Sequence, residues 1–124
     1  MSLKPYRERT TLQSRVNDTA RTSEKYPDRI ATLCEAYDPK YKIPKIKFLI
    51  PFDLTVGHFI LHIRRYLKNL NETQAIFLFI GEQQKVYSSG FLFSEIIKES
   101  GTVGPDGFLY IQYALENTYG NKKK

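Results

Sequence analysis

Asp106-Gly107-Phe108-Leu109-Tyr110-Ile111-Gln112-Tyr113 reads as a turn feeding a strand. Asp-Gly is a turn dipeptide, and the aromatic and aliphatic run behind it is too short and too rich in rings for a helix. Beyond it Ala114-Leu115-Glu116-Asn117-Thr118-Tyr119-Gly120 turns polar, and Asn121-Lys122-Lys123-Lys124 closes the chain. Gly120, lacking a Cβ, is expected on an extended arm where it would pass into a narrow enzyme active site, and a reachable glycine carboxylate suits acyl transfer. Taken alone, the same glycine also reads as plain tail.

Working back from that strand, Ile76–Ile80 is a continuous apolar run, expected to be a central strand buried on both faces. A small strand between residues 82 and 88 would complete a hairpin after it. A short helix is expected from a cap at Ser88 or Ser89 through Phe93, Ile96 and Ile97 to Glu99. The glycine-rich loop 101–107 lacks the Gly-Lys-Ser/Thr ending of a phosphate-binding loop and precedes a strand, so it reads as a turn. Thr55 caps the clearest helix, Val56 to about Asn69, whose Val56, Phe59, Ile60, Ile63 and Leu67 share one stripe.

Ahead of that helix, Ile46–Ile50 reads as a strand stopped by Pro51 and guarded by Lys45 and Lys47, the kind of charge that protects a sheet edge. Such an edge can accept an added peptide strand, or can simply be an edge. Arg29–Glu35 is expected as a strand apolar on both faces, Ile30, Thr32 and Cys34 on one and Ala31, Leu33 and Glu35 on the other. Its second cover would come from two weakly amphipathic helices, Leu3–Arg9 and a longer one capped at Thr10 or Thr11, carrying Leu12 and Val16 and ending before Pro27.

The 124 residues suit one domain, and no segment approaches the roughly 20 apolar residues of a membrane span. The N-terminus lacks the apolar run of a signal peptide, so membrane association would have to be acquired. The single cysteine, Cys34, reads as a buried small hydrophobe rather than a nucleophile, and suits the cytosol. His58 and His62 lie four apart without a third ligand, so no metal and no cofactor are expected. Formal charge is +6, of which Lys122–Lys124 supply three, so a chain ending at Gly120 would carry +3. The remaining basic residues are interspersed with acids and no nucleic-acid motif occurs, which argues against nucleic acid as a partner. Nor does any Ser-His-Asp, Cys-His or paired-carboxylate constellation suggest an enzyme.

Tyr26-Pro27-Asp28-Arg29, Lys47-Phe48-Leu49-Ile50-Pro51, Asp53-Leu54-Thr55-Val56-Gly57 and the Asp106–Gly120 block together resemble the autophagy-related protein 8 family. These are ubiquitin-like modifiers typified by GABARAP and microtubule-associated protein light chain 3. The blocks keep the family's order and nearly its spacing over almost the whole chain. The element order fits its α+β fold, the ubiquitin-like β-grasp: a mixed four-stranded sheet on a core helix, with two extra N-terminal helices. The expected organisation is a helical extension at 1–25 packed on the core, the β-grasp core at 26–115, and a flexible arm with a processed tail at 116–124.

The resemblance implies that a cysteine protease cuts after Tyr119-Gly120, before Asn121, and that E1-like and E2-like enzymes then pass Gly120 to phosphatidylethanolamine. A cytoplasmic precursor would become bound to an autophagosomal or vesicle membrane. It also implies capture of receptor and adaptor peptides carrying an aromatic-x-x-aliphatic motif. The aromatic pocket would use Ala31, Leu33, Lys47, Leu49 and Phe108, and the aliphatic pocket Phe48, Ile50, Pro51, Leu54, Phe59, His62 and Ile63. Arg29, Lys45 and Lys47 would meet flanking acidic residues. Thr22, Ala31, His62 and Tyr66 depart from the family pattern, so a shifted partner set and a pH-sensitive aliphatic pocket are expected. A module that is never conjugated, or a basic scaffold for anionic lipid or RNA, remains the alternative.

Overall fold

The computed structural model describes residues 5–67 and 74–116. Its elements are α1 (Tyr6–Arg9), α2 (Leu12–Lys25), β1 (Arg29–Ala36), a 3-10 turn (Pro39–Tyr41), β2 (Lys47–Pro51), α3 (Val56–Arg64), β3 (Ile76–Ile80), α4 (Phe93–Ile96) and β4 (Leu109–Leu115). The four strands lie in the order β2-β1-β4-β3, with β1 antiparallel to β2 and parallel to β4, and β3 antiparallel to β4.

Strand alternation divides the apolar residues between two faces. Ile30, Cys34, Phe48, Ile50, Leu109, Ile111 and Tyr113 join Val56, Phe59 and Ile63 of α3 in the main core. On the opposite face Ala31, Leu33 and Phe108 form a smaller cluster, with Tyr6, Ile46 and Tyr110 packed around it. Cys34 is fully buried in the main core, and that burial pushes its thiol pKa up.

Several expectations need correction. β3 is an edge strand, and only Ile76, Leu78 and Ile80 are buried while Phe77 and Phe79 are partly exposed. The two phenylalanines made an alternating strand look uniformly apolar. No strand forms at 82–88: the chain turns back through one isolated bridge, Ile80 and Lys85 exchanging both backbone hydrogen bonds. α4 is capped at Leu92, whose N–H donates to Glu95 Oε1 at 2.8 Å, and neither serine takes that role. α3 stops at Arg64, with the Thr55 hydroxyl accepting from His58 N–H as its cap. Pro51 closes β2 as its last residue, a position an edge strand tolerates because no ladder donor is needed there.

The correction to α2 has the clearest physical cause. Thr11 caps it, but Leu12 and Val16 face solvent and the residue it buries is Arg15. Arg15 Nε donates to Asp106 Oδ2 at 2.7 Å, and Arg15 Nη1 donates to the carbonyls of Arg7 and Thr10, each at 2.9 Å. The Thr19 hydroxyl donates to the Asp106 carbonyl at 2.6 Å. α2 is thus held on the domain by charge-assisted hydrogen bonds to the turn before β4, where a two-residue apolar pattern could not hold it.

Candidate functional site

β2 lies at one edge of the sheet, and among the described residues no strand pairs with its outer side. Its side chains alternate, Phe48 and Ile50 inward and Lys47 and Leu49 outward, with Leu49 still 37% exposed. Register sets Leu49 opposite Ala31 and Lys47 opposite Leu33. The five residues expected for the aromatic pocket are therefore the Ala31, Leu33 and Phe108 cluster, buried, with Leu49 and Lys47 beside it. Lys47 Nζ reaches across the face to Asp18 Oδ2 at 2.6 Å and stands 5.5 Å from the centre of the Tyr6 ring. The hydrogen bond to Asp18 raises the Lys47 pKa. Tyr6 and Asp18 had no signal in the sequence pattern, because they arrive from α1 and α2.

Between β2 and α3 lies a hollow of about 360 Å³, and Phe48, Ile50, Pro51, Leu54, Phe59 and His62 all line it. Ile63 does not: it is fully buried in the core behind them. Lys45, Leu49, His58, Leu61 and Arg65 line it as well. His58, Leu61, His62 and Arg65 recur at i, i+3, i+4 and i+7, so helical periodicity alone could have placed them together. His62 packs edge-on to Phe48 and Tyr66, at centroid distances of 5.8 and 5.7 Å. Burial lowers the His62 pKa, and the nearby charges of Lys45 and Arg65 lower it further.

Of the residues expected to meet acids, Lys45 stands 4.9 Å over the Phe48 ring at the hollow, Lys47 is tied to Asp18, and Arg29 sits at the far end of the β1/β2 pair opposite Pro51. Chemically the edge offers backbone donors and acceptors, an apolar face on one side, an apolar hollow on the other and three cations along it. Tyr119, Gly120 and Asn121 lie outside the described residues. Among the described residues no group of three or more His, Cys, Asp and Glu could hold a metal ion, and no helix is long and apolar enough to cross a membrane.

The family model described as "Autophagy protein Atg8 ubiquitin like" matches residues 14–120. The chain is 43% identical over 112 residues to Autophagy-related protein 8 of Schizosaccharomyces pombe, covering 89% of this chain and 88% of that one. It is 37% identical over 123 residues to Autophagy-related protein 8d of Arabidopsis thaliana, covering 97% and 98%. Among solved structures the crystal structure of Trypanosoma brucei ATG8 superposes with a TM-score of 0.77 at 32% identity, covering 93% of this chain and 97% of that chain. A family match across most of the chain, relatives of the same length and a common mixed sheet with N-terminal helices lead to one conclusion: the chain belongs to the Atg8 family of ubiquitin-like autophagy modifiers.

Proposed function

We propose that this chain is trimmed by a cysteine protease after Tyr119-Gly120 and joined through Gly120 to phosphatidylethanolamine, and that β2 then recruits receptors and adaptors to a growing autophagosomal membrane. Its part in the chemistry is that of acyl donor. With the Gly120 carboxylate first activated by a nucleoside triphosphate as an acyl-nucleotide, pyrophosphate leaving, an E1-like thiolate would displace the nucleotide to give a thioester. This passes to an E2-like thiolate until the lipid amine attacks, forming an amide and expelling that thiolate. Catalysis belongs to those enzymes. The lipid's two acyl chains would supply the anchor, at about 0.8 kcal/mol per buried methylene. Support for the donor half comes from the family match, which runs through Tyr119 and ends at Gly120.

The single observation that carries the recruitment half is the exposed edge of β2, with Leu49 outward between the Ala31, Leu33 and Phe108 cluster and the hollow against α3. An aromatic-x-x-aliphatic peptide added as a strand would lay its aromatic ring on the cluster side, displacing Lys47 from above it, and its aliphatic anchor in the hollow. Acidic residues flanking the motif would meet Arg29, Lys45 and Lys47, chiefly raising the association rate. Residues 1–25 act in this reading as an extension completing the aromatic side, and 26–115 as the β-grasp core.

Two measurements test it. Mass analysis after incubation with the cognate protease, conjugation enzymes and phosphatidylethanolamine vesicles should show loss of Asn121–Lys124 followed by gain of one phospholipid, with Gly120→Ala blocking the gain. In fluorescence anisotropy, Leu49→Asp should weaken an aromatic-x-x-aliphatic peptide by about tenfold or more. Undiminished binding by that variant would remove β2 as the docking edge.

A further inference from the structure

A second hollow, about 600 Å³ against about 360 Å³ for the one beside α3, lies elsewhere, beneath the β1–β2 loop and beside α1. It exists because β2 leaves the sheet early. β1 pairs with β4 through Ala36↔Tyr113, but its register with β2 ends at Leu33↔Lys47. One further bond, Cys34 N–H to the Ile46 carbonyl at 2.8 Å, continues that register. Extended by two more residues, it would set Pro44 opposite Ala36, and proline has no N–H to give a ladder. Tyr37 N–H points the other way, to the Tyr113 carbonyl at 2.8 Å. By alternation the N–H and C=O of Ala36 therefore face the hollow, where among the described residues no strand covers them.

We propose that this hollow is a second peptide-docking site, taking a short extended segment in which branched aliphatic side chains are flanked by acidic ones. A peptide backbone offers both the acceptor and the donor that Ala36 needs, and Ile43, Ile46 and Tyr113 supply an apolar wall for its side chains. The hollow is preformed. Pro5, Pro39 and Pro44 fix backbone torsions around it, and the Tyr113 hydroxyl pins the loop by donating to the Tyr41 carbonyl at 2.6 Å. Charge selects the flanking residues. Arg9 and Lys42 line the hollow and the same loop carries Lys40, whereas Glu35, which also lines it, and Asp38 on the loop are turned onto backbone donors, Glu35 onto Tyr6 N–H and Asp38 onto Lys40 N–H, each at 3.0 Å. Its lining has no residue in common with the hollow against α3, and Ile46 alone also packs on the Ala31, Leu33 and Phe108 cluster, so it stands or falls apart from the docking edge proposed above.

The test is amide chemical-shift mapping of the full chain with a pool of acetylated hexapeptides Glu-Asp-x-x-x-Glu, x being Val, Ile or Leu. This pool lacks the aromatic anchor that the β2 edge requires. Saturable shifts are expected at Ala36, Ile43 and Gln112, unchanged in Leu49→Asp and weakened about fivefold or more by Lys42→Glu. The charge-reversed pool, Lys-Lys-x-x-x-Lys, should leave these amides in place. Four results would overturn the proposal: no saturable shift, equal shifts with the reversed pool, shifts centred on Lys47 and Leu49 that vanish in Leu49→Asp, or movement of the Ala36 amide on diluting the protein alone, which would put a second copy of the chain in the hollow.

Discussion

Asp106 carries more of the structure than its place in a turn suggests. Burial by itself would raise its carboxyl pKa. The hydrogen bonds that it accepts from the Tyr110 hydroxyl, the Phe108 N–H and Arg15 outweigh that and hold it below the ordinary value of 3.8. Because the folded value is depressed, the stabilisation is present above that ordinary value and is lost as pH falls through the folded one. Thermal melts of the parent and Asp106→Asn should differ most near neutrality and converge as the solution is acidified below about pH 4. Arg15→Ala would leave the buried carboxylate with one cation fewer, at a cost of about 3–5 kcal/mol, whereas Arg15→Met with Asp106→Ala should recover much of that loss. Equal melting temperatures for the single and double variants would show that packing of α2, not the charge pair, sets the cost. Gly107 belongs to the same joint. Its φ is +92°, and a Cβ there would stand 2.6 Å from the Thr19 hydroxyl oxygen. Gly107→Ala should therefore destabilise by about 1–3 kcal/mol in a denaturant titration, and Thr19→Ser should not relieve it, since the oxygen remains.

Elements differed in how far the sequence disclosed them, for a consistent physical reason. α3 was legible because its core residues recur with helical period and Thr55 provides a cap, and the same periodicity brings His58, Leu61, His62 and Arg65 to the hollow. α2 was legible in extent and misread in face: its attachment runs through Arg15, Thr19 and Asp18 to residues distant in sequence, which no local pattern encodes. β3 was found in place and misread in position, because Phe77 and Phe79 are as apolar as buried residues while only partly buried. In the candidate site, the division of β2 between Lys47 and Leu49 on one face and Phe48 and Ile50 on the other came with the family resemblance and not from the continuous apolar run Phe48-Leu49-Ile50, and the contribution of Tyr6 and Asp18 from α1 and α2 had no local signal. The hollow beside α3 makes a prediction of its own. Burial, then the charges of Lys45 and Arg65, lower the His62 pKa, with His58 and Tyr66 on the same helix side. Seating an aliphatic anchor against it increases that burial, so peptide affinity should fall as pH drops from about 7.5 towards 5 and His62 takes up its proton. In His62→Leu the anisotropy titration should be flat over the same interval; an unchanged pH slope would assign the dependence to a group other than His62.

For the molecule as a whole, charge separates two readings that share one chain. The formal +6 is half carried by Lys122–Lys124, outside the segment matched by the family model, and half by the net of a body in which acids and bases are interspersed. Within that body three of the described ion pairs, Arg7–Glu82, Lys47–Asp18 and Lys85–Glu99, further divide the basic surface. A modifier needs the tail only until it is cut, whereas a basic scaffold for RNA or anionic lipid would need its charge permanently. Binding to a single-stranded RNA oligonucleotide distinguishes them, because each neutralised phosphate adds about 0.7 to the slope of log affinity against log salt. The full chain should show weak binding that vanishes near about 150 mM salt, and the chain ending at Gly120 should lose about 2 from that slope. If the shortened chain kept the full slope, the folded surface rather than Lys122–Lys124 would be holding the phosphates, and the scaffold reading would displace the proposed processed modifier.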